Sequence, residues 1–150
     1  MQWGGSGIEK VVFDYIFNRI PEGSVMIELG AGDVSTREFS KVFDLYSVEH
    51  DENWLNRHPS TYIHAPLVDG WYDVEILKKH LPKKKDQRVI LIDGISRRNI
   101  LQNLHLFNKK AMFVVHDTWR EHEVQLANDL GKALGRTPKF YDAGDNWAVI

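Results

Sequence analysis

The segment Val25-Met-Ile-Glu-Leu-Gly-Ala-Gly32 constrains the fold of this chain more than any other. Val25 to Leu29 is short and mostly apolar, as a buried strand is, and it runs into Gly30-Ala31-Gly32 just before a helical pattern opens. Glycine removes the side chain where the backbone must turn sharply and let another group come close. Strand, glycine-rich turn and helix in that order begin a parallel α/β sheet, whose ligands gather at the carboxyl ends of the strands. Roughly twenty residues on, a second apolar strand, Leu45 to Val48, ends in Glu49. A carboxylate there can accept hydrogen bonds from both hydroxyls of a ribose. Together the two features point to a ligand built on adenosine.

The rest of the chain repeats this alternation. Ile8, Val11, Val12, Tyr15, Ile16 and Ile20 form an apolar stripe at helical steps, ended by Pro21-Glu-Gly-Ser24. A helix with Phe39, Val42 and Phe43 on one face is expected over Thr36–Asp44, and Asp51 can cap a short helix holding Trp54 and Leu55. A third strand covers Tyr62 to Ala65; Pro66 to Tyr72 reads as a loop and Asp73 to His80 as a helix. Lys83-Lys-Lys85-Asp86 reads as a solvated connection. The fourth strand, Arg88 to Asp93, is almost wholly apolar, the mark of a central parallel strand covered on both faces. A helix carrying Ile100, Leu101, Leu104 and Phe107 follows, then a fifth strand, Ala111 to Val115, and a long helix from Trp119 to Leu134. Lys139 to Asp142 and Asn146 to Ile150 bracket Ala143-Gly144-Asp145, a hairpin signal. Five β-α alternations closed by a hairpin predict one domain over residues 1–150, with a mostly parallel seven-stranded sheet, helices on both faces and one strand reversed.

Composition sets the class. A chain of 150 residues with 43% hydrophobic and 27% charged content is an ordinary globular domain. A net charge of −2 gives no general field for nucleic acid. The lack of cysteine excludes disulfides, Cys-ligated zinc and thiol catalysis. No apolar run approaches the ~18 residues of a membrane helix, and Met1-Gln-Trp-Gly-Gly lacks the basic start and apolar core of a signal peptide. A cytoplasmic enzyme, or a domain cut from a longer protein with a neighbouring domain, is expected; neither a nucleic-acid nor a membrane partner is.

The glycine pattern narrows the ligand. A dinucleotide turn needs G-x-G-x-x-G/A to face a pyrophosphate, and here the third position is Ser35. Glu28, just before the first glycine, sits badly beside a pyrophosphate but suits a cationic, amino-acid-like end. E-x-G-x-G followed by an acidic strand end, with a reversed last strand, resembles the class I S-adenosylmethionine (SAM) methyltransferases, which have a Rossmann-like fold. The resemblance covers most of the chain. It implies that Gly30, Ala31 and Gly32 pass beneath the amino-acid end of SAM, that Glu28 and Asp93 orient its ammonium, that Glu49 holds the ribose, that His50 flanks the adenine, and that the Leu67–Asp69 stretch, with Asp69, meets the adenine edge. For Glu49 the alternative is a helix cap, and for His50 a plain loop histidine.

Methyl transfer to an alcohol needs orientation and a base within hydrogen-bond reach. Asp93, His116 and Asp117 stand at the carboxyl ends of the fourth and fifth strands and are the candidates; capping of the following helix is the alternative for Asp117 or Thr118. Ile92-Asp-Gly-Ile-Ser-Arg97 with Val115-His-Asp-Thr118 resembles sugar and macrolide O-methyltransferases, which implies Asp93 and Asp117 as Mg²⁺ ligands. Two departures weaken that match: Ser96 replaces those relatives' histidine base, and His116 replaces their second acid. Trp71 and Tyr72 could stack on a sugar ring, Arg97 and Arg98 could hold hydroxyls or a phosphate, and Trp3 could close over the site. The short chain resembles the small methyltransferase domains of viral or bacterial glycan-building proteins, which implies glycan modification. The expected activity is thus O-methylation of a sugar, glycan or other small hydroxylated acceptor. A nicotinamide-dependent oxidoreductase and a non-catalytic SAM-fold binding module are the alternatives.

Overall fold

The computed structural model describes residues 9–141 and 146–150. The Trp3 lid, Ile8 of the first stripe and the Ala143-Gly144-Asp145 turn lie outside the described residues. The sheet strands are β1 (Val25–Leu29), β2 (Asp44–Glu49), β3 (Thr61–His64), β6 (Gln87–Ile92), β7 (Met112–His116), β8 (Lys139–Tyr141) and β9 (Trp147–Val149); β4 (Leu67–Val68) and β5 (Trp71–Tyr72) form a separate ribbon. The helices are α1 (Lys10–Phe17), α2 (Val34–Ser40), α3 (Val74–His80) and α4 (Glu121–Leu134).

The seven strands lie in the order β3-β2-β1-β6-β7-β9-β8. The first five are parallel, β9 runs antiparallel to β7, and β8 pairs antiparallel with β9. The expected mostly parallel α/β sheet with a C-terminal hairpin is present. Strand order reverses between β1 and β6, which makes their carboxyl ends the topological switch point, where sheets of this kind bind their ligands.

The continuous apolar runs divide between two cores because successive side chains of a strand face opposite ways. Met26, Val89, Leu91, Val114 and Trp147 face one side, against Val12 and Ile16 of α1 and Phe39 of α2. Ile27, Leu29, Ile90, Ile92, Phe113, Val115 and Ala148 face the other, against Leu77 of α3 and Leu126 and Leu130 of α4. Two buried layers explain why these strands show no polar alternation. No helix among the described residues is long and apolar enough to cross a membrane.

Two expected elements take another form. The segment with Ile100, Leu101, Leu104 and Phe107 is not an α-helix but two 3₁₀ turns, Arg97–Gln102 and Leu104–Leu106. Asparagine amides compete for the backbone there: Asn99 Nδ2 donates to Ser96 O (3.0 Å) and Asn103 Nδ2 to Asn99 O (2.8 Å). Ser96, left-handed at φ 48°, sets the entry. The presumed loop Pro66–Tyr72 contains the β4–β5 ribbon, turned by Asp69 (φ 53°) and Gly70 (φ 86°). Positive φ at both central residues is the type I′ hairpin turn that Asp-Gly favours.

Candidate active site at the carboxyl ends of the strands

The turn after β1 is held from both sides. Gly30 has φ 105°, and a Cβ there would lie 2.6 Å from the Gly94 Cα and 2.8 Å from its amide nitrogen. The backbones after β1 and β6 therefore touch, which only glycines permit. Gly32 N–H donates to Thr36 Oγ1 (2.9 Å), and Ala31 N–H donates to Glu49 Oε2 (3.0 Å).

Glu28 does not stand on the ligand side of this turn. Its position in the strand puts it on the face of Met26, beneath α2, with no exposed surface. Its Oε1 accepts from the Thr36 hydroxyl and from Ser47 Oγ (2.8 Å), while Oε2 is buried without a partner. Burial raises its pKa to about 8; the two hydroxyls oppose the rise, and the charges of Asp93 and Glu49 add to it. At neutral pH Glu28 is mainly an uncharged acid. It offers no exposed surface for direct contact with an ammonium, and its hydrogen bonds reach the turn through Thr36 and the Gly32 amide.

Glu49 is 5% exposed and points back across the crevice, not into solvent. Its Oε1 accepts from the amides of His50 (2.8 Å) and Asp51 (3.0 Å), so with Ala31 three backbone donors fix the carboxylate. The His50 ring lies beside it, with Nδ1 3.0 Å from Oε1 but without hydrogen-bond alignment. Asp51 caps the Glu52–Trp54 turn by accepting from the Asn53 amide (3.0 Å), as expected.

The ribbon overturns one expectation for the acceptor. Trp71 (3% exposed) and Tyr72 (1%) are core residues, not an open stacking face. Tyr72 sends its hydroxyl to the switch point, against the spot a Gly94 Cβ would occupy. Burial raises its pKa, and the Glu49 and Asp93 charges raise it further, so the phenol is neutral. The Ile95 amide is near enough to oppose that rise but not aligned for a hydrogen bond, which leaves the hydroxyl unpartnered. Asp69 is exposed at the ribbon tip and borders a cavity of about 340 Å³ with Trp71, Asn99 and Gln102.

Asp93, Arg97, His116 and Asp117 form one ion-paired cluster at the ends of β6 and β7. His116 Nδ1 is 2.9 Å from Asp93 Oδ1 and 3.3 Å from Asp117 Oδ1, and its Nε2 is 3.0 Å from Glu9 Oε2. Burial alone would lower the His116 pKa, but the bonded Asp93, the Asp117 charge and Glu9 together raise it to about 9. His116 is therefore an imidazolium at neutral pH and not a free base. Burial pushes Asp117 up, but the Arg97 hydrogen bond and the neighbouring cations outweigh it and hold the pKa below the usual carboxylate range. Asp117 sits at φ 61° and does not cap α4, whose N-cap is Arg120 without a side-chain bond.

Arg97 is not available to an acceptor. Its guanidinium is 7% exposed, and its five N–H groups all have acceptors within the protein. Arg98 is paired with Asp129 instead. A cavity of about 520 Å³ opens between Gly94–Asn99 and the start of α4 at Arg120 and Glu123. Sequence reasoning missed Glu9, Thr36, Ser47 and Glu123 as members of these networks. Glu9 meets His116 across 107 positions, and no local pattern signals such a contact.

No family model matches the chain, and no curated protein matches it. Among solved structures, a chain of the E. cuniculi Mtq2–Trm112 complex, responsible for the methylation of the eRF1 translation termination factor, is similar at a TM-score of 0.55 and 12% identity. The match covers 99% of this chain and 96% of that one. At that identity the likeness is one of fold, and this chain has a methyltransferase-like α/β fold.

Proposed function

We propose that this chain binds SAM at the switch point between β1 and β6 and transfers its methyl group to a hydroxyl of a sugar, glycan or other small acceptor. One observation carries the reading: the Glu49 carboxylate at the end of β2 is fixed by three amides and faces the Gly30–Gly32 turn. The residues fit such a cofactor. Gly30 and Gly94 bring the ends of β1 and β6 into backbone contact at the turn, and the buried Tyr72 hydroxyl beside Gly94 lacks a partner. Glu49 keeps acceptor capacity on Oε2 for one ribose hydroxyl. Asp93 and Asp117 stand at the adjoining strand ends, with their charges balanced by Arg97 and His116.

SAM brings a methyl group on a positively charged sulfur, and the protein supplies orientation and a proton acceptor. With His116 charged, that acceptor is Asp117 or Asp93. His116 and Arg97 hold both carboxylates in place. The acceptor enters by the cavity beside Gly94–Asn99, not over the buried Trp71 and Tyr72.

Glu49→Ala tests the cofactor half. Losing a ribose hydrogen bond to a charged acceptor is expected to weaken SAM by about tenfold or more in titration calorimetry, at ~1.5 kcal/mol or more for the bond. Unchanged affinity in a folded variant would sink the assignment. The second reading, a SAM-fold module that binds without transferring, is favoured by the internal pairing of every candidate base. A labelled-methyl assay against mixed glycans separates the two. Against a nicotinamide enzyme stand Ser35 in the turn and the reversed β9.

A further inference from the structure

We infer that Arg97, with His116, takes the place of a divalent cation between Asp93 and Asp117, so that this site works without metal. The inference rests on the methyltransferase reading only for what the site does, not for how it is built. Ligand atoms of Asp93, His116 and Asp117 lie within 4.8 Å of one another, a spacing that a cation could span. Two side-chain cations already hold those positions. Arg97 Nη2 donates to Asp117 Oδ2 (2.8 Å) and Asp93 Oδ1 (3.3 Å), bridging the pair. His116 Nδ1 bridges the same two carboxylates at 2.9 and 3.3 Å.

Neither cation can step aside without cost. The remaining guanidinium donors of Arg97 are committed to Gly94 O (3.0 Å), His116 O (2.8 Å) and Glu123 Oε2 (2.8 Å). Moving it would leave the buried Glu123, 5% exposed, with only the exposed His122 at 3.8 Å as an ionic neighbour. Mg²⁺ also demands near-octahedral oxygen ligands and open coordination positions for water. A guanidinium already lying between the two carboxylates leaves no such room. The residues therefore do not fit the Mg²⁺ site implied by the sugar and macrolide enzymes. Arg97 is a positioning residue: it orients Asp93 and Asp117 as a metal does in a metal-dependent site, but by fixed hydrogen bonds.

Mn²⁺ titration followed by electron paramagnetic resonance, on the protein without cofactor, tests this independently of SAM. The intact chain is expected to bind no Mn²⁺ at the cluster up to about 1 mM, the weak end of biological divalent sites. Arg97→Gln, which removes the charge and the bridge, is expected to gain a site at least tenfold tighter, lost again in Arg97→Gln with Asp117→Asn. If Arg97→Gln does not fold by circular dichroism, Arg97→Met serves, since it also removes the charge while keeping a long side chain over the site. Mn²⁺ binding by the intact chain that Asp117→Asn removes overturns the inference. So does a folded Arg97 variant that gains no site.

Discussion

Replacing Glu28 by glutamine is expected to stabilise the protein by several kcal/mol at about pH 9 and to change its stability little at about pH 4. The sign follows from the raised pKa. The folded-state value is about 8 against 4.5 for the free side chain. The protonated acid is therefore the form the fold prefers. Its contribution is complete below the unfolded value and is lost as pH climbs from 4.5 through 8. At ~1.4 kcal/mol for each tenfold in proton affinity, the loss is at most about 5 kcal/mol. Glutamine copies the neutral acid: its carbonyl can accept from Thr36 and Ser47, and its amide sits where Oε2 has no partner in either case. His116, raised to about 9, also loses stabilising influence as pH rises from 6.5 to 9, but it does so equally in both proteins and cancels in the difference. Urea unfolding of the pair across this pH range is the measurement. Parallel stability curves would show that Glu28 does not titrate as its burial requires.

Gly30→Ala is expected to cost about 3 kcal/mol or more and to abolish cofactor binding in whatever fraction folds. Two penalties coincide there. A φ of 105° strains any L side chain, and the new Cβ would meet Gly94 backbone atoms at 2.6 and 2.8 Å. Backbone cannot rotate away as a side chain can, so the ends of β1 and β6 must part. Two controls separate the penalties. Gly23 has φ 82° but nothing within 4 Å of an added Cβ, so Gly23→Ala should cost only the conformational part, about 1 kcal/mol. At Gly32 the nearest atom is the Ser35 hydroxyl oxygen at 2.7 Å, a rotatable group, and the cost should be smaller still. Equal losses at Gly23 and Gly30 would mean that the close approach of the two strands is not what makes glycine necessary.

The sheet was legible because burial on both faces forces a pattern that little else produces. Val25–Leu29 has the expected bounds, and Val89 to Ile92 and Met112 to Val115 fall within their strands. The reversed final pair followed from the turn residues between two β-rich segments, although that turn itself lies outside the described residues. What failed was governed by side chains competing with the backbone. Asn99 and Asn103 convert an apolar spacing that suits a helix into 3₁₀ turns. Asp69-Gly70 did carry a hairpin signal inside the presumed loop. Glu28 also held readable information: sharing the parity of Met26, it lies on the α2 face, fully buried.

The site was legible as a set of positions and not as a set of pairings. Each strand end offered polar groups, and Asp93, His116 and Asp117 do meet. Which charge would satisfy which depends on partners 20 to 26 positions apart for Arg97, and 107 apart for His116 and Glu9. No local periodicity encodes such distances. Arg97 therefore looked like a substrate contact, and His116 like a base, until their partners were in view.

The central claim is that an adenosyl sulfonium cofactor occupies the crevice between the Gly30–Gly32 turn and Glu49. Titration of the intact protein with S-adenosylhomocysteine, read by calorimetry and by backbone amide shifts, tests it most directly. The account predicts saturable micromolar binding, with the largest shifts at Gly30, Ala31, Gly32, His50, Asp51 and Gly94. No saturation by about 1 mM ligand, a free energy weaker than ~4 kcal/mol, would contradict it, as would saturable binding whose shifts fall away from these residues.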